Sequence, residues 1–484
     1  MNSPIEHIIV LMLENRSFDH LFGFLDHKKP FNGLTGNESN PTSKTTSNPV
    51  KVIKGTKTFI NPDPGHSHAD ILEQLNLQNP GGLTVLNDGF YHNFSKRIVA
   101  KGGTSHPKEI MSCFDPRNSE NHTKILGALA KNFVLCDNWF SSVPGETWPN
   151  RNFAHSGTSN GEVNIKKKLY GNRTIFEVVA DHNLSWKIYR DGFAQSQAFH
   201  KLWFKKKKNG GFRKFSKFTE DVRKEELANY VFIEPRHMPM LSGRTNNMHP
   251  GNNQNSSDQD FKAAENLVAQ VFNALRTKKT IWNKSLLVIT FDEHGGFYDH
   301  VRPEKCVSPD GKVSDEGFDF KRYGIRVPTI LISPHLENRN VDHTLYDHTS
   351  IIKTVLENFS IKETLTERVR NANSFLANIG KPIKKTWLKK KVKLHANDPE
   401  TLTFGAVRNA PLELNDFQKD LVEMSRNIEK VMHKDEAEVE RRIKKMEEDQ
   451  IKIEGGEMAL KSASPTSYSD IEKMSDKFSM MYED

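Results

Sequence analysis

The sequence has few cysteines, no long hydrophobic run and no basic leader, and each absence argues against a class of protein. Cys113, Cys136 and Cys306 are widely spaced and odd in number, so they fit neither a disulfide framework nor a zinc-knuckle pattern. No apolar stretch approaches the length of a membrane span. The first apolar run follows Glu6 rather than basic residues, unlike a secretory signal peptide. We therefore expect a cytoplasmic protein, or one exported by a route without a cleaved N-terminal signal.

The composition is ordinary for a globular protein, with an excess of basic residues. The chain has 484 residues, of which 36% are hydrophobic and 27% are charged. These proportions allow a large core. The net charge of +8 favours approach to surfaces that carry phosphate, but it does not distinguish a lipid from a nucleic acid.

Two apolar runs lead directly into side chains that carry oxygen. Residues 8–13 run into Glu14 and Asn15, and residues 286–291 run into Asp292 and Glu293. Such unbroken runs are typical of strands in parallel sheets, where ligands bind beyond the carboxyl ends. If the two strands are neighbours, three carboxylates and an amide surround a hard or borderline cation. The alternative is that the acids simply turn the backbone towards water.

A candidate nucleophile, Thr147, lies in the middle of the chain. Pro144 and Gly145 predict a turn, and Pro149 suits the first turn of a helix, so Thr147 is expected at a helix N-terminus. The free N–H groups and the dipole of such a terminus attract phosphate. A coordinated divalent metal lowers the pKa of a hydroxyl group enough to make it a nucleophile. The alternative is an ordinary helix cap without chemistry.

Three segments, in this order, resemble a known family. They are ENRSFDH (14–20), ETWPNR (146–151) and TFDEHGGFYDHV (290–301). The resemblance is to the phosphoesterase family that contains non-specific phospholipases C and related acid phosphatases. It extends from residue 5 to about residue 376 and includes the segments 63–67, 87–90, 232–236, 249–250, 324–334 and 365–368.

The resemblance implies a set of site residues. The implied metal ligands are Glu14, Asn15, Thr147, Asp292 and Glu293. Thr147 also falls on the nucleophile of the family. The ion is a divalent metal, with zinc as first choice and calcium or manganese as alternatives, since carboxylates and an amide do not select sharply. His66 and His249 match histidines near the phosphate, where an imidazole donates hydrogen bonds or protonates the departing alcohol. The division of these two tasks stays open.

The resemblance also implies the fold class and, with the composition along the chain, the domain organisation. We expect an α/β fold like that of alkaline phosphatase, with a mostly parallel sheet sandwiched by helices, loop insertions and a C-terminal helical extension. The expected segments are a phospholipase C-like catalytic domain (1–376) with insertions near 32–58 and 186–226, a basic extension packed on or linked to the core (377–415), an amphipathic charged helix (416–454) and a disordered tail (455–484).

The second expected insertion combines lysines with aromatic residues. Its rings are Trp186, Trp203, Phe204, Phe212, Phe215 and Phe218. Rings and cations together suit peripheral contact with anionic lipid headgroups, and the rings offer apolar surface for a lipid substrate. A solvated basic face is the simpler interpretation, and nucleic acid is a third possibility that we do not favour. The sequence leaves the oligomeric state open.

The predicted function is that of a metal-dependent phospholipase C. It hydrolyses glycerophospholipids such as phosphatidylcholine to diacylglycerol and a phosphorylated headgroup, through a phosphothreonine intermediate. An acid phosphatase that uses the same residues is the first alternative. A catalytically idle module that binds lipid or nucleic acid is the alternative from another class. After His249 and Pro250 the chain departs from its relatives, which commonly carry a second His and an Asp there, and this leaves the leaving-group acid open.

Overall fold

The computed structural model describes most of the chain as strands and helices joined by ordered loops. The described residues are 3–45, 48–115, 123–166, 168–203, 210–238, 244–251, 258–380, 416–431, 438–439 and 441–442. The expected tail (455–484) and most of the expected basic extension (381–415) lie outside them. No helix among the described residues is both long enough and apolar enough to cross a membrane.

The described residues form the following strands and helices, in chain order within each type. The strands are β1 (His7–Leu13), β2 (Ser39–Asn40), β3 (Val50–Lys51), β4 (Ile53–Lys54), β5 (Ser112–Cys113), β6 (Val134–Cys136), β7 (Trp186–Arg190), β8 (Gly210–Lys214), β9 (Tyr230–Glu234), β10 (Ser285–Phe291), β11 (Thr329–Ile332) and β12 (Asn340–Asp342). The α-helices are α1 (Phe18–Phe22), α2 (His68–Leu75), α3 (Phe90–Lys101), α4 (Lys124–Asn132), α5 (Thr147–Ser156), α6 (Ile175–Asp181), α7 (Phe218–Lys224), α8 (Asp258–Leu275), α9 (Lys279–Trp282), α10 (Thr349–Asn358), α11 (Glu367–Asn371) and α12 (Asp416–Val431). Short 3-10 helices span Pro107–Met111, Gln195–Ala198, His200–Trp203, Phe215–Lys217 and Phe375–Asn378.

A large, mostly parallel sheet forms the centre of the described residues. Its eight strands follow the order β12-β6-β11-β10-β1-β9-β7-β8. β11 runs antiparallel to both of its neighbours, and every other pair is parallel. Helices flank the sheet, with α8 against β10 and α4 against β6 and β11. The expected α/β class with a mostly parallel sheet is confirmed.

The two strands that carry the predicted metal ligands are neighbours. β1 and β10 pair in parallel over their whole length, and their last residues, Leu13 and Phe291, are partners. Every residue of both strands is buried, as expected for strands covered on both faces. β9 pairs with the other side of β1 and ends at Glu234. Three adjacent strands therefore deliver acidic residues to one edge of the sheet.

The stretch 186–226, expected as a loop insertion, contributes two strands to the main sheet. β7 and β8 lie at one end of the sheet, and α7 follows them. Trp186 of β7, Phe212 of β8 and Phe218 of α7 are buried in the hydrophobic core. The expectation that these three rings supply surface for a lipid is therefore wrong. Phe204 lies outside the described residues.

The two remaining expected segments also contact the main body. Within 32–58, Asn40 is fully buried, and its side chain accepts a hydrogen bond from Phe90 N (2.8 Å) at the start of α3. This contact ties part of the expected surface excursion to the core. At the other end of the chain, α12 buries Leu421 and Ile428 in the main hydrophobic cluster. The Gln418 side chain of α12 donates a hydrogen bond to the His237 carbonyl at 3.0 Å.

Candidate active site

The acids that follow β1 and β10 meet at the edge of the sheet. Glu14, Asn15, Asp292 and Glu293 are all fully buried. The backbone N–H of Asn15 donates to Asp292 Oδ1 at 3.1 Å, and that of Glu293 donates to the same oxygen at 2.7 Å. The two strand ends are therefore joined directly through one carboxylate. The predicted convergence of these residues is present in the structure.

Tight turns bring the two strand ends together. Gly295 has a φ of 66°, and a Cβ atom at this position would lie 2.2 Å from the Asn15 carbonyl oxygen. Only glycine tolerates both the left-handed backbone and this close approach. The Gly295 N–H donates to Glu293 Oε2 at 2.7 Å. Gly295 therefore fixes both the path of the turn and the orientation of a predicted metal ligand.

Thr147 lies at the start of α5, as predicted, and it faces the strand ends. Its hydroxyl group donates to Asn15 Oδ1 at 3.3 Å. Glu146, rather than Thr147, is the N-cap residue, and the helix has no side-chain cap. The preceding turn is held by Asn150, whose side chain donates to the Gly145 carbonyl at 2.9 Å. A buried helix N-terminus with uncapped N–H groups is a site for anionic groups such as phosphate.

Arg151 lies one turn after Thr147 on α5 and reaches all three acidic strand ends. Its side chain is fully buried and forms ion pairs with Glu14 (3.5 Å), Glu234 (2.7 Å) and Asp292 (3.3 Å). It thereby links α5, which carries Thr147, to the ends of β1, β9 and β10. Thr147, Asn15, Asp292 and Glu14 consequently form one connected set of contacts.

A second layer of polar residues lies behind Glu14. His237 Nδ1 is 2.8 Å from Glu14 Oε1, and His237 Nε2 is 3.3 Å from Glu234 Oε2. The side-chain amide of Asn247 donates to Glu14 Oε2 at 2.7 Å. His237, which the sequence analysis did not assign, thus orients Glu14. Glu234 was missed as well, although the apolar run of β9 ends in an acid in the same way as β1 and β10.

His66 and His249, both predicted to lie near the phosphate, face the carboxylate of Asp63. His66 Nε2 is 3.4 Å from Asp63 Oδ2, and His249 Nδ1 is 3.8 Å from Asp63 Oδ1. His66 Nδ1 also lies 3.0 Å from Glu293 Oε1, which connects the pair to the predicted metal ligands. The Gly251 N–H donates to His249 Nδ1 at 3.2 Å, so in the neutral ring Nε2 carries the proton. Asp63 was not identified from the sequence as a site residue.

Ligand atoms of Asp63, His66 and His249 all lie within 4.8 Å of one another, a spacing that a metal ion could also bridge. However, the Gly251 hydrogen bond occupies the lone pair of His249 Nδ1. The arrangement therefore fits two histidines held for contact with a substrate better than it fits a second set of metal ligands.

Burial and neighbouring charges shift the pKa values of Asp292 and Glu293 in opposite directions. Burial raises the pKa of Asp292 to about 7; the charge of Arg151 opposes the shift, and those of Glu14 and Glu293 add to it. Burial also acts to raise the pKa of Glu293, but the positive charge of His66 and the contacts with His294 and His66 together outweigh it and hold this pKa well below its usual value. A cation bound between these acids would favour the ionised form of Asp292.

The two histidines differ in the same way. Burial alone would lower the pKa of His66, but the negative charges of Glu293 and Asp63 outweigh it, and the pKa lies well above its usual value. For His249, burial lowers the pKa, and the charge of Asp63 only partly opposes this. His66 is consequently cationic at neutral pH, whereas His249 is neutral.

The residues present fit a divalent cation. The predicted ligands offer only oxygen atoms: the carboxylates of Glu14, Asp292 and Glu293, the amide of Asn15 and the hydroxyl of Thr147. Glu14 Oε1 and Glu293 Oε1 are buried and accept no hydrogen bond within the described residues, although each faces an imidazole nitrogen. Three carboxylates buried this close together repel one another, and a bound divalent cation would relieve that repulsion. His294, by contrast, has a structural partner, since its Nε2 lies 2.8 Å from Gln74 Oε1.

Comparison with known proteins gives the family. The model of the Phosphoesterase family matches residues 5–362, which is most of the chain. The chain belongs to the Phosphoesterase family. The match covers the three acidic strand ends, helix α5 with the predicted nucleophile Thr147, and both His66 and His249.

Several curated proteins are similar to this chain. Non-specific phospholipase C4 of Arabidopsis thaliana is 34% identical, with 89% of this chain and 82% of the relative covered. Non-specific phospholipase C1 of the same plant is 35% identical, over 78% and 71% of the two chains. Non-hemolytic phospholipase C of Burkholderia pseudomallei is 25% identical, over 74% of this chain and 55% of the relative.

Similarity to solved structures is weaker. The lipoteichoic acid synthase LtaP from Listeria monocytogenes matches with a TM-score of 0.35 and 14% identity, over 53% of this chain and 71% of that chain. A protein in the alkaline phosphatase superfamily from Vibrio parahaemolyticus matches with a TM-score of 0.31 and 11% identity, over 49% and 60%. Matches of this strength do not bear on the chemistry of the site.

Proposed function

We propose that this member of the Phosphoesterase family is a metal-dependent phospholipase C. It hydrolyses glycerophospholipids such as phosphatidylcholine to diacylglycerol and a phosphorylated headgroup, and it meets its substrate by peripheral contact with a lipid surface. The observation that carries the proposal is the contact between the Thr147 hydroxyl and Asn15 Oδ1 at the acidic edge of the sheet. The names of the similar plant and bacterial proteins support the lipid substrate.

We propose Zn²⁺ as the first candidate ion, with Ca²⁺ and Mn²⁺ as alternatives. Glu14, Asn15, Thr147, Asp292 and Glu293 would hold it. Sets of oxygen ligands are used by all three ions, so the ligand atoms do not choose among them. A bound divalent cation would lower the pKa of the Thr147 hydroxyl and neutralise charge on the phosphoryl oxygens.

In the first step the ionised Thr147 oxygen attacks phosphorus. A bond forms between phosphorus and Thr147 Oγ1, and the bond between phosphorus and the glycerol oxygen breaks in line with it. The N–H groups at the start of α5 receive phosphoryl oxygens, and the charge of His66 stabilises them. We assign the cationic His66 as the group that gives a proton to the departing diacylglycerol, because the neutral His249 would have to become an imidazolate to do so.

In the second step water attacks the phosphothreonine and releases the phosphorylated headgroup. The bond between phosphorus and Thr147 Oγ1 breaks, and the attacking water returns a proton to His66. The cycle therefore ends with the nucleophile and the acid in their starting forms. His249 stays neutral throughout, and its Nε2–H donates a hydrogen bond to a phosphoryl oxygen rather than a proton.

A comparison of two substrates tests this function. Release of diacylglycerol from phosphatidylcholine micelles and release of phosphate from p-nitrophenyl phosphate are measured for the wild type and for Thr147→Ala, each with and without a chelator. We expect the wild type to release diacylglycerol, and both the variant and the chelated enzyme to lose this activity. Binding of micelles without any product from the wild type would make the protein a binding module instead.

A phosphomonoesterase at the same site is the second candidate. One observation favours it: Trp186, Phe212 and Phe218, expected to contact a lipid chain, are buried in the core. A diester site needs apolar surface for the second ester arm, whereas a monoester site closes around a dianion with nearby cations. Faster turnover of p-nitrophenyl phosphate than of phosphatidylcholine would support this candidate.

A further inference from the structure

We propose that Arg151 is a positioning residue, which fixes two of the proposed metal ligands and the nucleophile helix relative to one another. The proposal rests on the proposed function, because Glu14 and Asp292 are ligands only if a metal binds at this site. It assigns to Arg151 a part in metal affinity and in turnover, although its guanidinium group would contact neither substrate nor metal.

The guanidinium group of Arg151 contacts residues at the ends of three adjacent strands. Its contacts are Nη1 to Glu234 Oε2 (2.7 Å), Nε to Asp292 Oδ2 (3.3 Å), and Nη2 to Glu14 Oε1 (3.5 Å) and to the Met12 carbonyl (3.1 Å). β10, β1 and β9 follow one another in the sheet. Arg151 therefore holds the ends of these strands, two of which carry the proposed ligands, at a fixed spacing.

The same contacts fix the orientation of Asp292. Oδ2 of this carboxylate faces Arg151, and Oδ1 accepts the N–H groups of Asn15 and Glu293. Oδ1 thereby uses both of its lone pairs, whereas Oδ2 retains one that could reach a cation. Without Arg151 the carboxylate would keep the contacts of Oδ1 but lose the one that holds Oδ2. Partners of this kind orient ligands and tune their affinity for metals.

Arg151 also fixes the position of the nucleophile. Thr147 and Arg151 are four residues apart on α5, so their side chains lie on the same face of the helix. Anchoring Arg151 at the strand ends therefore sets how far the first turn of α5 stands from Asn15. A shift of this turn would move the Thr147 hydroxyl out of reach of the Asn15 amide.

The shape of the side chain matters as much as its charge. A lysine at this position would keep one positive charge among the three carboxylates. Its single nitrogen could not reach four acceptors that are spread over three strands, because an ammonium group lacks the planar fork of guanidinium. Charge neutralisation alone therefore predicts that lysine is an adequate substitute, whereas a positioning role predicts that it is not.

Arg151→Lys is the test, with Zn²⁺ and Mn²⁺ as the probes. We expect the affinity of the metal-free full-length protein for these ions, measured by calorimetric titration, to fall by roughly 10- to 100-fold. We expect kcat to fall while KM changes little, on whichever of phosphatidylcholine or p-nitrophenyl phosphate the wild type uses. Thermal melting and circular dichroism report whether the variant is folded.

Arg326→Lys is the matched control. Arg326 is also fully buried and also joins two carboxylates, Asp19 at 2.8 Å and Asp299 at 3.1 Å, but it contacts none of the proposed ligands. We expect this control to lose stability without a change in metal affinity. If Arg151→Lys does not fold, Glu234→Gln replaces it: this change keeps the guanidinium group, weakens its shortest ion pair, and should move metal affinity and kcat in the same direction.

The possible results separate the two proposals. Metal affinity and kcat within twofold of the wild type in Arg151→Lys, or in Glu234→Gln where that variant replaces it, would overturn the role of Arg151 alone. Equal losses of metal affinity in Arg151→Lys and Arg326→Lys would also overturn it, because any buried arginine would then have the same effect. A wild type that binds neither of these ions, nor Ca²⁺, would reject the proposed function, and the role of Arg151 with it.

Discussion

Thr147 Oγ1 lies 3.3 Å from Asn15 Oδ1. The first residue of α5 is therefore in hydrogen-bonding contact with the second residue after β1. Asn15 has a φ of 59°, a conformation that asparagine adopts more readily than most residues. This backbone turn directs its N–H to Asp292 while its amide oxygen faces the hydroxyl group. Asn15 thus joins Thr147 to Asp292 through two different groups. Its amide oxygen accepts from the Thr147 hydroxyl, and its N–H donates to the Asp292 carboxylate.

The first prediction concerns Thr147 itself. Thr147→Val preserves the shape of the side chain but removes the nucleophilic oxygen, so we expect turnover to fall by roughly 10³-fold or more. Thr147→Ser restores an oxygen at the same atom and should recover most of the rate. Initial rates of product release measure both effects. A valine variant with wild-type turnover would show that another group attacks phosphorus.

Much of this site could be predicted from two local patterns in the sequence. Apolar runs that end in acids predicted β1 and β10, and turn residues followed by Pro149 predicted the start of α5. Neither pattern contains the order of the strands in the sheet. Because that order decides which strand ends meet, the neighbouring positions of β1 and β10 became known only from the structure.

Residues that hold the site through long-range contacts could not be predicted in the same way. Asp63 and Arg151 act on side chains far from them in sequence, and nothing local distinguishes a bracing charge from a solvated one. Glu234 is different, because its strand shows the same apolar run with a terminal acid. Trp186 on β7 and Phe212 on the edge strand β8 were misinterpreted because short strands at the end of a sheet and an exposed basic loop can have similar compositions.

The second prediction concerns metal removal. Asp292→Ala and Glu14→Ala should lose bound metal and activity together, since each removes a carboxylate from the proposed ligand set. Metal content by elemental analysis and turnover are measured on the same preparations. Asp299→Asn, at a buried carboxylate that pairs with Arg326 instead, is the control and should keep its metal. Full activity in either alanine variant would make the ligand assignment wrong.

The third prediction is a pH dependence of stability at His155. This residue lies in the last turn of α5 among the rings of Phe176, Phe199 and Phe232. Burial lowers its pKa to about 4; the charge of Glu234 opposes this and that of Arg151 adds to it. Because the folded state resists protonation while the unfolded chain titrates at about 6.5, stability is fully present above the unfolded value and is lost as the pH falls towards 4.

His155→Leu should remove this dependence. Neither ring nitrogen of His155 has a hydrogen-bond partner within the described residues, so the leucine leaves no polar group unsatisfied. From pH 7 to pH 5 we expect the wild type to lose about 2 kcal/mol more unfolding free energy than the variant. Urea denaturation of both proteins at the two pH values measures it, and the difference cancels the other titrating groups. Parallel losses in the two proteins would show that His155 does not contribute.

The fourth prediction concerns α12. The Gln418 side chain of this helix donates a hydrogen bond to the carbonyl of His237, a residue that lies behind Glu14. Leu421 of this helix is fully buried in the same hydrophobic cluster as β1 and β10. If α12 unfolds together with the main body, Leu421→Ala should lower the unfolding free energy by about 2–5 kcal/mol, the usual cost of a truncated core leucine. Lys419→Ala, at an exposed position on the same helix, should change it by about 0.5 kcal/mol or less. Urea denaturation followed by tryptophan fluorescence compares the two variants. Equal midpoints for Leu421→Ala and the wild type would show that α12 leaves the body before the sheet unfolds, and that the layer behind Glu14 does not depend on it.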